Sequence, residues 1–516
     1  MARKSANFLK ATFLVTVVII VSKAVGFVRE MVMANYFGTG LENDAYVAAY
    51  GLFYLPILLF NSCITSTLIP LYIKAREEKG LKGANRFANN TLNISVIAAG
   101  FVAILLYFCA GPLVRLVYQG FDPPKIAFTV RLTQIMMLSL VFNVAAIVLS
   151  SLLNAQERFI TAQLTGFPLS FAIIVACMCF SAKYGIEAVA VGVVASGVMQ
   201  VLVLLPGLRG WFHYRPIVDV SDKRFHRLLE MAVPALLSMA VSELNHMIDN
   251  LMTSGLAEGS LSALSYAYKL ITFITGVLVV PLTTVVFSKM SRMAASRDSG
   301  GLLQAVRTCV ELIALVVLPI VAIVATLNWD TIVFAYSSGR FDVNSVRVTA
   351  GCFLFYVIGV PSFGLRDLLN RTFHSVQDTK TPFYVACMVV VLNVLLDITL
   401  RGPMGANGLA LATTLSGAFG MTAMFVLLRR RFGHTGLRHV LPELAKIAVA
   451  VAGTVAMCLL MRLLIPVTHG RLAAFIKLAL TALAGGSLYV IVCLLLRVRQ
   501  LDNVINMILH RGKERG

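Results

Sequence analysis

Charge is what this 516-residue chain has least of: Asp, Glu, Lys and Arg make up 13% of it, against 58% hydrophobic residues. A soluble chain carries about a quarter charged residues, so an ordinary globular protein is excluded. Acidic residues are scarcer still, 24 against 44 Lys and Arg, for a formal net charge of +20. No Gly-x-x-x-x-Gly-Lys-Ser/Thr phosphate loop, no His-Glu-x-x-His and no polar stretch large enough for an ATPase domain occurs. Any energy source is therefore a gradient or a partner. No nucleophile–base pair, metal-ligand spacing or cofactor loop stands out, so the chain reads as no enzyme, with no cofactor. The nine cysteines are scattered, mostly within apolar stretches, and Cys177 and Cys179 are too close to bridge comfortably. They read as small buried hydrophobes.

What the chain has in quantity is apolar runs, each long enough to span about 30 Å of hydrocarbon. About fourteen are counted, near 8–37, 44–73, 87–110, 128–153, 160–182, 187–208, 227–254, 261–287, 304–327, 347–372, 382–400, 406–428, 442–464 and 472–496. The expected fold is an all-α polytopic membrane protein. The first run is too long for a signal peptide and lacks a clear cleavage site, so it is expected to remain as a helix. Basic residues crowd alternate loops, as in Lys74–Arg86, Arg209–Arg227, Lys289–Arg297 and Arg429–Arg438, while Gly38–Asn43 and Gly255–Ser260 have none. That is the positive-inside pattern, with both termini in the cytoplasm. It argues against nucleic acid as the partner of the positive charge and is compatible with anionic lipid head groups.

The most polar connection, Arg209–Arg227, divides two groups of six spans, with two more after about residue 440. The expected domains are 1–212, 213–438 and 439–516. The halves look related: Val21-Ser22 matches Val241-Ser242, and Ala45–Leu52 lies over Ala263–Leu270. Repeated halves facing a midplane site are a common plan of secondary transporters. Under the first of these matches Arg29 falls opposite Asp249. In the last two spans, Lys446, Arg462 and Lys477 stand near the ends and are expected to snorkel. Those spans have few candidate chemical groups and read as packing helices or the wall of a lipid-facing groove.

Ionisable residues inside apolar helices cost several kcal/mol and usually face a wet, protein-lined cavity. Lys23, Arg29 and Glu30 lie in the first span, Glu243 and Asp249 in the seventh, Lys269 in the eighth and Asp397 in the eleventh. Lys23, Arg29 and Lys269 together suggest a cluster able to grip phosphate, the lysines as point charges and the arginine as a fork. A plainer reading pairs Arg29 with Glu30 or Asp44 to hold helices together. The run Ser242–Asn250 is the most polar in any helix, and Asn245/Asp249 and Asn393/Asp397 are i,i+4 pairs, with Thr413 in the twelfth span. Their oxygens suit a hard cation; they equally suit an interhelical hydrogen-bond network. His246 reads as a hydrogen-bonding spacer.

The run Ser22-Lys23-Ala24-Val25-Gly26-Phe27-Val28-Arg29-Glu30, then Phe37-Gly38 through Asn43-Asp44-Ala45-Tyr46, resembles the MurJ (MviN) family of lipid II flippases. So do Leu153–Phe159, Gly255–Leu270 and Phe373–Pro382, the last similar to the family's Gln-Asp-Thr-Lys-Thr-Pro loop. The resemblance runs from about residue 15 to 430. It implies fourteen helices in a bacterial inner membrane, two six-helix lobes forming a V around a cationic cavity, and two last helices lining a groove for a lipid tail. It implies outward transport of undecaprenyl-diphosphate-linked disaccharide-pentapeptide by alternating access, with cell-wall synthesis proteins as further partners. Lys23, Arg29 and Lys269 match the family's cavity arginines; Glu30 and Asp44 are the expected gating or ion-pair residues. Asp249, Asn393, Asp397 and Thr413 match a sodium site, so Na+ or proton coupling is expected. Two family arginines stand here as lysines, Leu55–Ser66 lacks the expected basic residue, and Ile274 stands near the place of a family proline. Two rival transporters are a carrier of another polyprenyl-linked glycan and a cation-coupled multidrug antiporter. A non-transporting scaffold or lipid-binding membrane protein is the third.

Overall fold

The computed structural model describes residues 2–296, 298–433, 436–465 and 470–502. Side chains are described from residue 14 onward, except 233–242, 244, 246, 288–289 and 437. The side chain of His246 lies outside the described residues. All regular structure among them is helical: α1 (Ala2–Phe37), α2 (Leu41–Val117), α3 (Pro123–Met137), α4 (Leu140–Ala155), α5 (Phe159–Gln163), α6 (Gly166–Val175), a π-helical turn (Ala176–Phe180), α7 (Ser181–Tyr184), α8 (Glu187–Leu208), α9 (Lys223–Ser254), α10 (Ser260–Ala295), α11 (Ser299–Thr326), α12 (Asn328–Tyr336), α13 (Val343–Ser375), α14 (Lys380–Met404), α15 (Ala406–Phe432), α16 (Leu441–Leu464) and α17 (Arg471–Leu495). Ten of the described helices are long and apolar enough to cross a membrane, or eleven when α3 and α4, bent by 43°, form one span. The chain is a multi-pass membrane protein. Two compact units divide it, residues 1–262 and 263–516.

Local chemistry explains the breaks. α2 holds two apolar stretches separated at Gly80, whose φ of 64° and ψ of −172° interrupt the helix; only glycine takes that conformation without strain. The expected single span near 128–153 is a bent pair. At the bend Leu138 and Ser139 donate three residues back, to Ile135 (3.3 Å) and Met136 (2.9 Å), and the Asn143 amide holds the Ser139 carbonyl (2.9 Å) and hydroxyl (2.6 Å). Beyond Gly80, Ile97, Phe101, Ile104 and Phe108 form an exposed stripe, Phe108 at 76% exposure. On the opposite side Ala99, Ala103 and Ala110 are buried. Large residues toward lipid and small ones toward neighbouring helices are what a membrane rewards. Cys177, Cys309, Cys352, Cys458 and Cys493 are buried as expected, but Cys179 is exposed. It lies in the π turn, whose wider winding turns Met178, Cys179 and Phe180 outward together.

The internal repeat is visible atom by atom. In the first unit Tyr118 donates its hydroxyl to the Ala48 carbonyl (3.1 Å); in the second Tyr336 donates to the Tyr266 carbonyl (3.2 Å). Ala48 and Tyr266 are the residues the sequence alignment superposes. Glu157 (φ 59°) and Gln377 (φ 61°), 220 residues apart, are both left-handed without being glycine. Around them Arg158 N–H donates to Leu153 and Asp378 N–H to Phe373 in the same helix-ending pattern. The motifs around 153–159 and 373–382 make the same turn, which recurs after α17, where Arg497 has φ 51° and Val498 N–H donates to Cys493.

In the second unit the last two helices are tied to their neighbours by polar as well as apolar contacts. Lys477 does not snorkel: it is 2% exposed and pairs with Asp330 of α12 at 3.2 Å. It sits inside α17, two turns from the helix end, where the neighbouring carboxylate outcompetes water. At the other end, the Gln500 amide donates to Glu311 of α11 (2.5 Å), and Tyr489 donates to the Leu315 carbonyl (2.8 Å). Lys446 donates to Glu443 (2.8 Å) and to the Arg497 carbonyl (3.2 Å). Replacing Lys477 by Met alone is expected to cost about 3–5 kcal/mol, because Asp330 stays buried. The double change Lys477→Met/Asp330→Leu is expected to restore most of it. Thermal unfolding of the purified variants checks this, and equal losses in single and double variants would refute it.

Candidate functional site

The first unit contains a clamp built on Asp44, which is 1% exposed in the first turn of α2. Lys125, at the start of α3, donates to its Oδ2 at 2.7 Å. Gly259 N–H donates to Oδ2 (2.8 Å), while Ser262 donates to Oδ1 through its N–H (2.8 Å) and its hydroxyl (2.6 Å). One carboxylate thus satisfies donors at the N-terminus of α10, where the helix dipole favours negative charge. The service is returned: Glu258 accepts from Leu41 N–H at the N-terminus of α2 (2.8 Å). Glycine makes the closeness possible. A Cβ on Gly120 would lie 2.5 Å from Gly255 Cα, and one on Gly259 2.4 Å from the Thr39 carbonyl. The Lys125 ammonium also sits 4.1 Å over the Phe121 ring. Three loops, after α1, after α2 and before α10, are therefore held at one point. Asp44 was legible in the sequence. Lys125 was missed; the signal was a lysine just after Pro123-Pro124, in a loop the charge pattern places opposite the basic ones.

In α1, Arg29 donates through Nε (3.1 Å) and Nη2 (2.5 Å) to one oxygen, Oε1, of Glu30, which is buried. Of the two expected partners, Glu30 and Asp44, the arginine takes the first. Tyr46, Tyr50 and Tyr54 stack along one face of α2, with ring centroids 5.9 and 5.7 Å apart. Lys23 is exposed and pairs with no carboxylate among the described residues. In α9 the Asn245 amide donates to Asp249 at 3.3 Å.

In the second unit Lys269 lies 5.5 Å from its own helix's Tyr266 ring. Asn393 and Asp397, one turn apart on α14, are 1% and 0% exposed. Both the amide oxygen and the amide nitrogen of Asn393 are buried without a hydrogen-bond partner among the described residues. A buried amide oxygen with no donor, one turn from a buried carboxylate, fits a hard cation. Thr413 on α15 donates to the Leu409 carbonyl (3.0 Å), keeping its lone pairs. No group of three His, Cys, Asp or Glu residues with metal-binding geometry occurs among the described residues. The most distinctive sequence motif proves structural. Asp378 accepts from Thr381 N–H (3.0 Å), from the Thr381 hydroxyl (2.8 Å) and from Arg431, latching the start of α14. Burial opposes ionisation there, but these donors and the arginine outweigh it and hold the carboxyl below its ordinary range.

Against known proteins, the family described as lipid II flippase MurJ matches residues 33–483. A probable lipid II flippase MurJ of Rhizobium tropici is 28% identical over 430 residues, 80% of this chain and 79% of that one. Its counterpart in Thermotoga maritima is 26% identical over 493 residues, 94% and 96% of the two chains. Among solved structures, a lipid II flippase MurJ in an inward closed conformation superposes with a TM-score of 0.77 at 23% identity, covering 94% of this chain and 99% of that one. An inward-facing multidrug resistance MATE transporter of the MOP superfamily gives 0.67 at 14% identity, covering 80% and 95%. The chain belongs to the lipid II flippase MurJ family.

Proposed function

We propose that this chain is a flippase that carries lipid II, the undecaprenyl-diphosphate-linked peptidoglycan precursor, from the inner to the outer leaflet of a bacterial inner membrane. The observation that carries the reading is the family match across residues 33–483. A span count of fourteen follows if α2 counts as two spans about Gly80 and α1 and α9 as one each, added to the eleven apolar helices. Both termini are then cytoplasmic. The matched Tyr118–Ala48 and Tyr336–Tyr266 bonds favour two related six-helix lobes, 1–212 and 213–438, followed by 439–516. Lys23, Arg29 and Lys269 grip the diphosphate, a charged head group that hydrocarbon would otherwise strip of its hydration. The prenyl tail stays in lipid, and cell-wall synthesis proteins receive the product. The clamp on Asp44 lies in the basic-poor loops, so it closes the outer side while the cavity is loaded from within. Glu30 holds Arg29 until phosphate replaces it.

Asp249, Asn393, Asp397 and Thr413 are the residues that would hold a sodium ion, which supplies charge compensation for the carboxylates and biases one state. Sodium is expected to raise the melting temperature above that in potassium at equal ionic strength, and Asp397→Asn to abolish the difference. An unchanged difference in that variant removes Asp397 from the site. The function itself is tested by rescue of a cell depleted of its own lipid II flippase. Growth supported by the chain is the expected result. A well-expressed chain that fails points to another polyprenyl-linked glycan, and transport inhibited by organic cations points to a multidrug antiporter.

A further inference from the structure

A second cationic feature, built from residues other than Lys23, Arg29 and Lys269, lies on the face that the positive-inside pattern assigns to the cytoplasm. There the elbow of α2 around Gly80 and the irregular segment entering α9 line a cavity of about 1140 Å³. Its walls are set by side chains rather than left to solvent. Asn85 donates to the Trp211 carbonyl (2.6 Å), and Asn89 donates to His213 (3.0 Å) while accepting from Arg215 N–H (2.8 Å). Asn93 donates to Arg215 and Ile217 (both 2.9 Å), and Asn90 both donates to and accepts from Asp219 (2.8 and 2.6 Å). Asparagines at every helical turn thus stitch an irregular backbone onto a helix. Their amides replace the ladder that this segment lacks.

Six cations line the cavity, Lys79, Lys82, Arg86, Arg215, Lys223 and Arg224, against three carboxylates. All three carboxylates are engaged. Glu78 pairs with Arg224 at 3.0 Å, Asp219 with Arg86 at 3.8 Å, and Asp222 caps α9 by accepting from Arg224 N–H at 2.8 Å. Lys79, Lys82, Arg215 and Lys223 pair with no carboxylate among the described residues. Lys79 is itself positioned, its stem lying across Gly83, where a Cβ would come within 2.3 Å. The counterpart helix in the second unit, α11, contains no asparagine, so the fold does not require the asparagine row.

The geometry points to this cleft as a binding site for a phosphate-bearing anion, a diphosphate or a phosphorylated lipid head group, bridging the elbow of α2 and the segment that leads into α9. A surplus of three positive charges on facing walls suits the several oxygens of a diphosphate better than a single carboxylate. The volume leaves room for what the phosphates are attached to.

Trp211, whose carbonyl is held by Asn85, gives a local reporter once the other tryptophan is removed by Trp329→Phe. Inorganic pyrophosphate added to that full-length protein in uncharged detergent is expected to change Trp211 emission saturably, and less so as salt rises. The triple variant Lys82→Gln/Arg215→Gln/Lys223→Gln is expected to weaken the response roughly tenfold or more. The equally neutralised control Arg429→Gln/Arg430→Gln/Arg438→Gln is expected to keep it. No saturable response in the Trp329→Phe protein, or equal affinity in the cleft triple, overturns the site. Phosphatidylcholine nanodiscs with and without phosphatidylglycerol separate the sources. If phosphatidylglycerol shifts Trp211 and blocks pyrophosphate, the occupant is a membrane lipid head group. If it does neither while pyrophosphate still binds, the occupant is a diphosphate.

Discussion

Asp44→Asn is expected to release the loops after α1, after α2 and before α10, and to speed hydrogen exchange in the segment 255–262. The asparagine has nearly the same shape but half the acceptors, and its NH2 must face the Lys125 ammonium, the Gly259 N–H or the two Ser262 donors. It also leaves Lys125 buried without a counter-charge. Breaking a buried pair from one side costs about 3–5 kcal/mol. A shift of about 5.5 kcal/mol carries a two-state equilibrium from 1:99 to 99:1, so this single change moves much of the population out of the clamped state. Lys125→Met is expected to do less, since three donors still serve the carboxylate, and the double variant less than the sum of the two. Hydrogen exchange by mass spectrometry on the purified protein reads the effect at Gly259 and Ser262. Unchanged exchange in Asp44→Asn would mean that the carboxylate closes nothing.

How much of this is legible in the sequence follows from which forces act along the chain and which across it. Apolar runs announce helices because a membrane leaves the backbone no other way to satisfy itself. That is why α8, α11, α16 and α17 fall close to their expected windows. The bend at Ser139 was not legible, since the run Met137-Leu138-Ser139-Leu140 holds neither glycine nor proline to mark it. Asp44 was visible as an acid in an otherwise apolar neighbourhood. Its partner Lys125 lies 81 residues away and its other donors 215 and more, distances over which composition says nothing. The same holds for Lys477, whose place in α17 looked like that of any snorkelling lysine until Asp330 was found beside it. The repeat was the one long-range relation the sequence carried. It fixed the pairing of Ala48 with Tyr266, and the paired tyrosine hydroxyls follow from it.

Arg29→Ala is expected to abolish transport, and Arg29→Lys to restore only part of it. The guanidinium offers several donors in one plane, and Glu30 uses two of them on a single oxygen. A diphosphate presents the same kind of acceptor with more charge, so exchange of one partner for the other costs little reorganisation. Each charge-assisted bond lost to phosphate is worth about 1.5–3 kcal/mol, a tenfold to hundredfold loss of affinity. Lysine keeps the charge and loses the fork. Glu30→Gln separates binding from turnover. Removing the competing carboxylate is expected to tighten binding of the lipid-linked head group while slowing its release, because nothing then takes the arginine back. Binding of lipid II to the purified protein and rescue of depleted cells read the two effects independently. If Glu30→Gln weakens binding instead, the glutamate positions Arg29 for the substrate, and the exchange of partners does not occur.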